Sequence, residues 1–208
     1  MKNSPAEIAL KGYNVSRESL ERLEAYVDIL LIWQQRINLI GPSTVETVWS
    51  RHILDAMQLV PLVPAGTRSL AELGSGAGIP GLVVCIAAGL EGHLYESNTK
   101  KAAFLREAIR KTGAKATVHN IRLETLKGKT DLPEVQCVVA RALAPLPLLL
   151  DYAEPFLLKG ALGFFHKGQD VELELTEATK YWTLNVSKHQ SVCDSRGVIL
   201  EVKEAKRV

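Results

Sequence analysis

The sequence predicts an α/β fold with a mostly parallel sheet, an antiparallel hairpin at the end of the chain and a helical extension in front. Three observations support this fold. From residue 67 onward, short apolar runs alternate with longer amphipathic stretches, as in repeated βαβ units. A glycine-rich turn at residues 74–81 follows the first apolar run and leads into a stretch that fits a helix. Near the end, residues 194–197 (DSRG) separate two runs with strand-like alternation, which is typical of a hairpin.

The N-terminal part of the chain is predicted to be helical. We expect residues 1–66 to form an extension that packs on a domain at residues 67–208. In the first long helix, Ser16 is the expected N-cap, and five apolar residues fall on one face. These residues are Leu20, Leu23, Val27, Leu30 and Ile37.

A second helix is predicted in the same extension. Ser43 and Glu46 have the spacing of a capping box at a helix start. An apolar stripe at helical spacing then continues to Val60, and Pro61 with Pro64 ends the helical region.

The predicted elements of the second part alternate along the chain. Strands are expected at residues 69–73, 92–97, 116–120, 135–140, 161–167, 183–192 and 197–205. Helices are expected at residues 78–88, 98–113, 146–160 and 169–182, the third of them broken by a proline. Ser97 is the expected cap of the helix at 98–113, and Gly113 its stop.

Composition limits the class of protein. The chain has 208 residues, of which 47% are hydrophobic, and a net charge of +2, so any nucleic-acid contact must come from a local basic patch. The three cysteines form no CxxC or Cys/His cluster, which indicates buried thiols in a reducing compartment and predicts no metal site. The start MKNSPAEIALKG lacks a secretory apolar segment, and no apolar run has membrane-spanning length. We therefore expect a cytoplasmic protein with no membrane partner.

The glycine turn has two interpretations. Residues 76–81 (GAGIPG) match GxGxxG, the turn that holds the pyrophosphate of a dinucleotide. The same string also contains Glu72 followed by Gly74, Gly76 and Gly78, an acidic residue before GxGxG. That pattern resembles the first motif of S-adenosylmethionine-dependent methyltransferases. In both interpretations the glycines allow a tight turn and a close approach of the backbone to a ligand.

An acidic residue at the end of the second predicted strand fits either nucleotide. Glu96 lies about 20 positions beyond the first glycine, where an acid binds ribose hydroxyls. Other features favour methyl transfer. Glu72 is unfavourable beside a pyrophosphate, the chain leaves no separate domain for a dehydrogenase substrate, and the terminal hairpin suits a methyltransferase sheet.

Several strings together resemble one family over nearly the whole chain. They are Asn38-Leu39, residues 51–55 (RHILD), residues 74–81 (GSGAGIPG), Glu96-Ser97, Lys100, Phe104-Leu105, residues 122–124 (RLE), residues 140–142 (ARA) and residues 167–169 (KGQ). This set resembles the glucose-inhibited division protein B family, the bacterial 16S rRNA guanine-N7 methyltransferases. The chain departs mildly from the family because Glu72 and Glu96 stand where many members carry aspartate.

The resemblance implies a Rossmann-like fold, S-adenosyl-L-methionine as the cofactor and a single guanine in the decoding-region loop of 16S rRNA as the substrate. The partner would be this rRNA, the small ribosomal subunit or its assembly intermediate, and we expect a monomer. The residues expected to bind the cofactor are Gly74, Gly76, Gly78, Ile79, Glu96, Leu123, Glu124 and Arg141. The candidates for RNA binding are Arg51, His52, Lys100, Arg141, His166 and Lys167.

Guanine N7 carries a lone pair in the neutral base, so its methylation needs no obligatory general base. The enzyme must instead align N7, the methyl carbon and the sulfur, and we assign no certain catalytic residue. Arg141 and Lys167 are the positioning candidates because each ends a predicted buried strand, where a charged side chain is rare unless it has a partner or a function.

Simpler interpretations stay open beside these. Arg51 and Asp55, four residues apart, can form a surface ion pair, and His52 can be structural. The rival functions are an NAD-dependent oxidoreductase, a methyltransferase for another RNA or a small molecule, and a ribosome-assembly protein that keeps a relic pocket.

Overall fold

A computed structural model describes residues 4–208, which form one seven-stranded sheet with helices on both faces. The strands are β1 (Ser69–Leu73), β2 (Glu91–Tyr95), β3 (Ala116–His119), β4 (Cys137–Arg141), β5 (Leu162–Lys167), β6 (Trp182–Gln190) and β7 (Val198–Arg207). The α-helices are α1 (Pro5–Ala9), α2 (Arg17–Gln34), α3 (Leu54–Met57), α4 (Gly81–Ala88), α5 (Thr99–Thr112), α6 (Leu146–Leu157) and α7 (Val171–Ala178). Two 3₁₀ turns, at Pro42–Thr44 and Leu123–Leu126, and a π-helix at Trp49–Ile53 complete the elements.

The strand order is β3-β2-β1-β4-β5-β7-β6. The first five strands in this order are parallel, whereas β7 pairs antiparallel with both β5 and β6. This arrangement confirms the predicted Rossmann-like sheet with an antiparallel C-terminal hairpin. The order reverses between β1 and β4, and ligands of such sheets bind at the carboxyl ends of the strands beside this point.

The first strand explains why the loop after it is held firmly. All five residues of β1 are buried, and three of them are apolar, as expected for a central parallel strand. The two polar residues are Ser69 and Glu72, and the side chain of Glu72 lies against the start of α4. Its Oε1 accepts a hydrogen bond from the Gly81 backbone N–H at 2.6 Å. A carboxyl oxygen at a helix N-terminus satisfies a backbone donor that would otherwise be free.

The long N-terminal helix packs over the same loop. Tyr26 of α2 is fully buried, and its hydroxyl donates to the Ala77 carbonyl at 2.6 Å. Its ring packs beside Phe104 of α5, with ring centroids 6.4 Å apart. Ser16 caps α2 as predicted, and Leu23, Val27 and Leu30 are buried on one face. The division of the chain near residue 66 stays a prediction.

The second predicted helix of the extension is wrong. In place of one helix from residue 43 to residue 60, the chain forms the 3₁₀ turn, the π-helix and the short α3. The capping box does not form: the 3₁₀ turn starts after Gly41, and the Thr44 hydroxyl bonds the Gly41 carbonyl at 2.7 Å. Contacts of this segment with the sheet override its helical periodicity, and π-helices often occur at functional sites.

Other boundaries also differ from the prediction. Helix α4 starts at Gly81, not at Gly78, because Gly78 has a left-handed φ of 78°. Helix α5 is capped by Asn98, whose side chain accepts from two backbone N–H groups, and not by Ser97. Helix α6 is continuous, because Pro155 lies in its last turn and removes one hydrogen bond there.

Two predicted helices extend beyond the ends that the structure gives them. Helix α2 ends at Gln34, so Ile37 follows the helix, and Trp182 begins β6 and is not the end of α7. Gly113 stops α5 with a φ of 65°, as expected.

We predict that Gly81→Ala destabilises the protein by about 1–3 kcal/mol in thermal unfolding, the usual cost of overpacking. A Cβ at Gly81 would lie 2.6 Å from the Glu72 Cβ and 2.7 Å from its Cδ. Gly41→Ala is the control, because its Cβ meets only ordinary contacts with Thr44. Equal melting temperatures for the two variants would contradict the tight packing of Glu72 under α4.

Candidate active site

A cavity of about 350 Å³ opens beside the glycine turn at the carboxyl ends of β1 and β2. Its lining includes Gly74, Gly76, Glu96, Leu123 and Glu124, five of the residues predicted to bind a cofactor. Leu143, Leu148 and Tyr152 form its other wall. The sheet order therefore brings together side chains that are far apart in sequence.

The carboxylate of Glu96 is the most directed polar group of this cavity. One oxygen accepts from the Gly76 N–H at 2.7 Å, and the other accepts from the Asn98 N–H at 2.6 Å. A carboxylate has about four acceptor positions, so each oxygen can take a further bond from a hydroxyl. Gly76 itself leaves the space above it open, since a Cβ there would meet only the Gly74 carbonyl, at 3.8 Å.

A second cavity, of about 300 Å³, lies on the other side of the same turn. It shares Gly74, Gly76, Lys101 and Ala142 with the first cavity. It is further lined by Leu39, Ile40, Gly41, His52, Ser75, Ala77, Ile79 and Arg141. An elongated ligand that crosses the glycine turn therefore has room on both sides of the turn, with Glu96 in the first cavity.

Arg141 ends β4 and is held by two side chains of the N-terminal segment. Its Nη1 donates to Asp55 Oδ2 at 2.8 Å, and its Nη2 lies 2.6 Å from His52 Nδ1. Gln58 donates to the other Asp55 oxygen at 2.6 Å. Asp55 thus pairs with Arg141 and not with Arg51, so the simpler surface-pair interpretation is wrong. Arg51 instead donates to the Cys193 carbonyl in the β6–β7 turn, at 3.3 Å.

The environment of His52 keeps its ring neutral. Burial and the nearby Arg141 charge lower the pKa of His52 from 6.5 to about 4, against a smaller opposing effect of Asp55. The side chain is 6% exposed, and its Nε2 lies 2.7 Å from the Thr44 hydroxyl oxygen. Both ring nitrogens are therefore engaged inside the protein.

The two predicted residues at the end of β5 are also buried. His166 Nε2 donates to the Asp55 carbonyl at 3.0 Å, and burial lowers the pKa of His166. Lys167 forms an ion pair with Glu174 of α7 and donates to the Ala144 carbonyl at 3.0 Å. Both residues line cavities at the sheet edge. The charges at the ends of β4 and β5 thus have structural partners, which sequence reasoning did not foresee.

Of the remaining predicted residues, some line the cavities or lie exposed near them, and Gly78 has a structural role. Ile79 lines the second cavity, and Lys100 is exposed in the first turn of α5. Gly78 has a structural role, because a Cβ there would lie 2.9 Å from the Leu82 Cβ. Glu124 is exposed, and its carboxylate accepts from the Tyr152 hydroxyl at 3.0 Å.

Sequence reasoning missed other residues of the site. Lys101 lines both cavities at the glycine turn, and Arg122 lines the first. Asp55 is predicted only as a surface partner of Arg51, yet it holds Arg141. Ala142 lines all four cavities around the turn and has a φ of 50°, the only positive value of a non-glycine residue in the described part of the chain. Such strained positions cluster at functional sites, but no sequence signal marks an alanine for one.

The described residues contain no cluster of three or more His, Cys, Asp or Glu side chains that would hold a metal ion. Within residues 4–208, no helix is both long enough and apolar enough to cross a membrane.

Most of the chain is similar in sequence to known proteins of one family. Residues 19–201 match the family described as rRNA small subunit methyltransferase G. A relative of that name from Rhodospirillum rubrum is 50% identical over 193 residues, which cover 93% of this chain and 94% of the relative. Another, from Rhizobium meliloti, is 43% identical and covers 96% of this chain and 95% of its own.

Solved structures show the same fold at low sequence identity. The ribosomal protein L11 methylase of Lactobacillus delbrueckii has a TM-score of 0.54 at 15% identity, covering 79% of this chain and 80% of its own. The precorrin-6y C5,15-methyltransferase of Geobacter metallireducens has a TM-score of 0.51 at 13% identity, covering 80% and 91%.

The sheet, the glycine turn and these similarities define a Rossmann-like methyltransferase whose methyl donor is S-adenosylmethionine. The chain belongs to the rRNA small subunit methyltransferase G family. The site fits this cofactor. The carboxylate of Glu96 keeps acceptor positions that would suit ribose hydroxyls, and the two cavities at the glycine turn have room for the adenine and the methionine part.

The site of Glu72 generates a pH prediction. Burial raises the pKa of Glu72 from 4.5 to about 8, an effect larger than the opposing one of its bond to Gly81. Among the described residues, Glu72 Oε2 has no hydrogen-bond partner. A raised pKa gives stability that is complete below pH 4.5 and is lost as the pH rises toward 8. Wild type should therefore lose stability relative to Glu72→Gln over this range, by roughly 1 kcal/mol per pH unit.

Chemical denaturation at several pH values between 5 and 9 measures this difference. Glu91→Gln, which removes an exposed carboxylate from β2, is the control. Parallel stability curves for wild type and Glu72→Gln would show that Glu72 is ionised throughout.

Cofactor binding tests Glu96. Glu96→Ala should raise the Kd for S-adenosylmethionine at least about 10-fold, because charge-assisted hydrogen bonds contribute about 1.5–3 kcal/mol each. Isothermal titration calorimetry gives the Kd. Glu91→Ala, at the opposite end of β2, should leave it within about twofold of wild type. An unchanged Kd in Glu96→Ala would place the ribose elsewhere.

Proposed function

We propose that this protein transfers a methyl group from S-adenosylmethionine to N7 of a single guanine in the decoding-region loop of 16S rRNA, in the small subunit or its assembly intermediate. One observation carries the proposal. The cavities assigned to the cofactor meet further cavities at Arg141 and Ala142, at the carboxyl ends of β4 and β5. The names of the relatives supply the class of RNA.

The further cavities have the size and position for a purine. Their volumes are about 380 and 260 Å³, and Arg141, Ala142, His166, Lys167 and Gly168 line both. A base that enters here reaches the same wall that borders the methionine side of the cofactor site. Unpaired loop bases are the form in which proteins read RNA sequence, because a paired base cannot enter such a cavity.

Methyl transfer to guanine N7 depends on alignment of the two reactants and not on proton transfer. When bound, the cofactor supplies a methyl group on a sulfonium centre, which a lone pair can take up directly. N7 has such a lone pair in neutral guanine, so the proposal requires no general base. The residues around Arg141 hold the base and exclude water, and well-oriented reactants can lower a barrier by about 7–11 kcal/mol.

The electrostatics of the site suit a product with positive charge on the purine. Arg141 is the cation nearest the junction of the cavities, and the Asp55 carboxylate balances its charge. His52 is neutral, as argued above. A guanidinium without Asp55 would oppose the charge that develops on the base, whereas the ion pair can still donate hydrogen bonds to O6 beside N7.

Basic side chains surround the mouth of the site. Arg51 and Arg122 are exposed and line two of the cavities, Lys101 is half-buried at the glycine turn, and Lys100 is exposed beside it in the first turn of α5. They suit contacts with RNA phosphates, which supply affinity without reading sequence.

The sheet argues against the NAD-dependent alternative. Dinucleotide-binding folds have the order 3-2-1-4-5-6 in a mostly parallel sheet. Here the antiparallel β7 is inserted between β5 and β6. Buried Glu72 is directed at the α4 N-terminus, the place where such folds bind a pyrophosphate.

The test uses the purified protein, radiolabelled S-adenosylmethionine and small subunits that lack the modification. Cleavage after depurination maps N7-methylguanine, and we expect label at one guanine of the decoding-region loop. Arg141→Ala should lose most of this activity, while Lys180→Ala, at an exposed ion pair, should keep it. Cofactor binding without label would refute the rRNA substrate and would direct the search to transfer RNA and small molecules.

A further inference from the structure

We propose that His52 is a positioning residue: its neutral imidazole accepts a hydrogen bond from Arg141 and fixes the guanidinium at the junction of the cofactor and substrate cavities. The inference deepens the proposed methyl transfer and rests on it. Sequence reasoning left His52 between a structural residue and an RNA contact. The hydrogen bonds around its ring point to a third role.

The direction of these hydrogen bonds follows from the Thr44 hydroxyl. This group has one hydrogen, which it donates to the Gly41 carbonyl at 2.7 Å. Its oxygen is therefore an acceptor toward His52, so His52 Nε2 must carry the hydrogen in their 2.7 Å contact. In a neutral ring the other nitrogen, Nδ1, is then an acceptor.

The acceptor Nδ1 of His52 faces the guanidinium of Arg141, a group that can only donate hydrogen bonds. Arg141 Nη2 lies 2.6 Å from His52 Nδ1, and a guanidinium has five N–H donors and no acceptor. A protonated imidazole would place an N–H against these donors and break the contact. The lowered pKa of His52 agrees with this chain of bonds, which runs from Arg141 through His52 and Thr44 to the Gly41 carbonyl.

The consequence for Arg141 is a fixed orientation. Asp55 holds Nη1 and His52 holds Nη2, so the guanidinium plane is anchored at two points. Arg141 lines the cavity of about 300 Å³ at the glycine turn and both cavities proposed for the base. Its remaining N–H groups are available to a ligand there. With Asp55 alone, the planar group would be free to turn about a single ion pair.

A direct RNA contact by His52 is less consistent with this geometry. The residue is 6% exposed, and both ring nitrogens already have partners. RNA would have to displace Arg141 or Thr44 to bind the ring. Arg51, the exposed neighbour of His52, is better placed for a phosphate.

Three variants separate positioning from simple support of the fold. An asparagine amide oxygen stands about where Nδ1 is, whereas a glutamine amide reaches about as far as Nε2. His52→Asn therefore keeps an acceptor for Arg141, and His52→Gln keeps only a partner for Thr44. Thr44→Val removes the hydroxyl under the ring but leaves Nδ1 facing Arg141.

We expect His52→Gln to lower kcat about 10- to 100-fold with the KM for small subunits nearly unchanged, since misplacement of a positioning group by about 1 Å has effects of this size. His52→Asn should stay within about threefold of wild type. Thr44→Val should lower the melting temperature but keep kcat within about the same range. Steady-state kinetics with undermethylated small subunits give both constants.

The inference is wrong if kcat falls as far in His52→Asn as in His52→Gln. It is also wrong if kcat falls as far in Thr44→Val as in His52→Gln, because support of the 41–44 turn would then explain the loss. It is also wrong if the loss lies in KM, which would mark an RNA contact.

A spectroscopic measurement tests the hydrogen bonds without any RNA. The ¹⁵N shifts of the His52 ring at pH 7 should show a neutral ring with the hydrogen on Nε2 and a hydrogen-bonded Nδ1. A hydrogen on Nδ1, or a charged ring, would overturn the inference even if the enzyme methylates its guanine. If the shifts agree but wild type methylates no subunit guanine, the proposed function fails, and the positioning role falls with it.

Discussion

The ion pair between Arg141 and Asp55 is the interaction on which the site depends. It joins the end of a central strand to the segment before the sheet, so each side chain fixes the other's element. Both groups are mostly shielded from water, and loss of one partner would leave a poorly solvated charge, which is strongly unfavourable. His52 completes the arrangement by holding the second nitrogen of the guanidinium. The pair therefore holds Arg141 at the point where the cavities proposed for the cofactor and the substrate meet.

The glycine turn is fixed in a similar way, by contacts from three directions. Glu72 holds the start of α4 from below, Glu96 bonds the Gly76 N–H from the second strand, and Tyr26 bonds the Ala77 carbonyl from the N-terminal helix. Glycine residues make this close approach possible but leave a flexible backbone, which loses much entropy on folding. The surrounding polar contacts offset that cost. A turn held on all sides keeps its free N–H groups and its open space in place for a ligand.

Much of the fold could be predicted because its signals are local. Alternating strands and helices, the glycine turn, Ser16 as a cap and Gly113 as a stop depend on neighbouring residues, and all were recovered. The segment from residue 43 to residue 60 was not. Its apolar spacing fits one helix, but its contacts with β4 and the β6–β7 turn impose a 3₁₀ turn and a π-helix. Tertiary contacts outweigh a periodic pattern because propensity differences amount to less than about 1 kcal/mol per residue.

The sequence by itself determined the class of sheet, the glycine turn with Glu96 beyond it, and the family, because all three depend on the order and spacing of residues along the chain. Only the tertiary structure decided the partners of the charged side chains. Arg141 and Lys167 were predicted as positioning residues with no protein partner named, and Asp55 and Glu174 lie against them. Spacing along the chain cannot reveal such pairs, because they form between elements that meet only when the sheet is assembled. The same holds for the positive φ of Ala142, the residue after Arg141, because alanine gives no sequence signal for such a conformation.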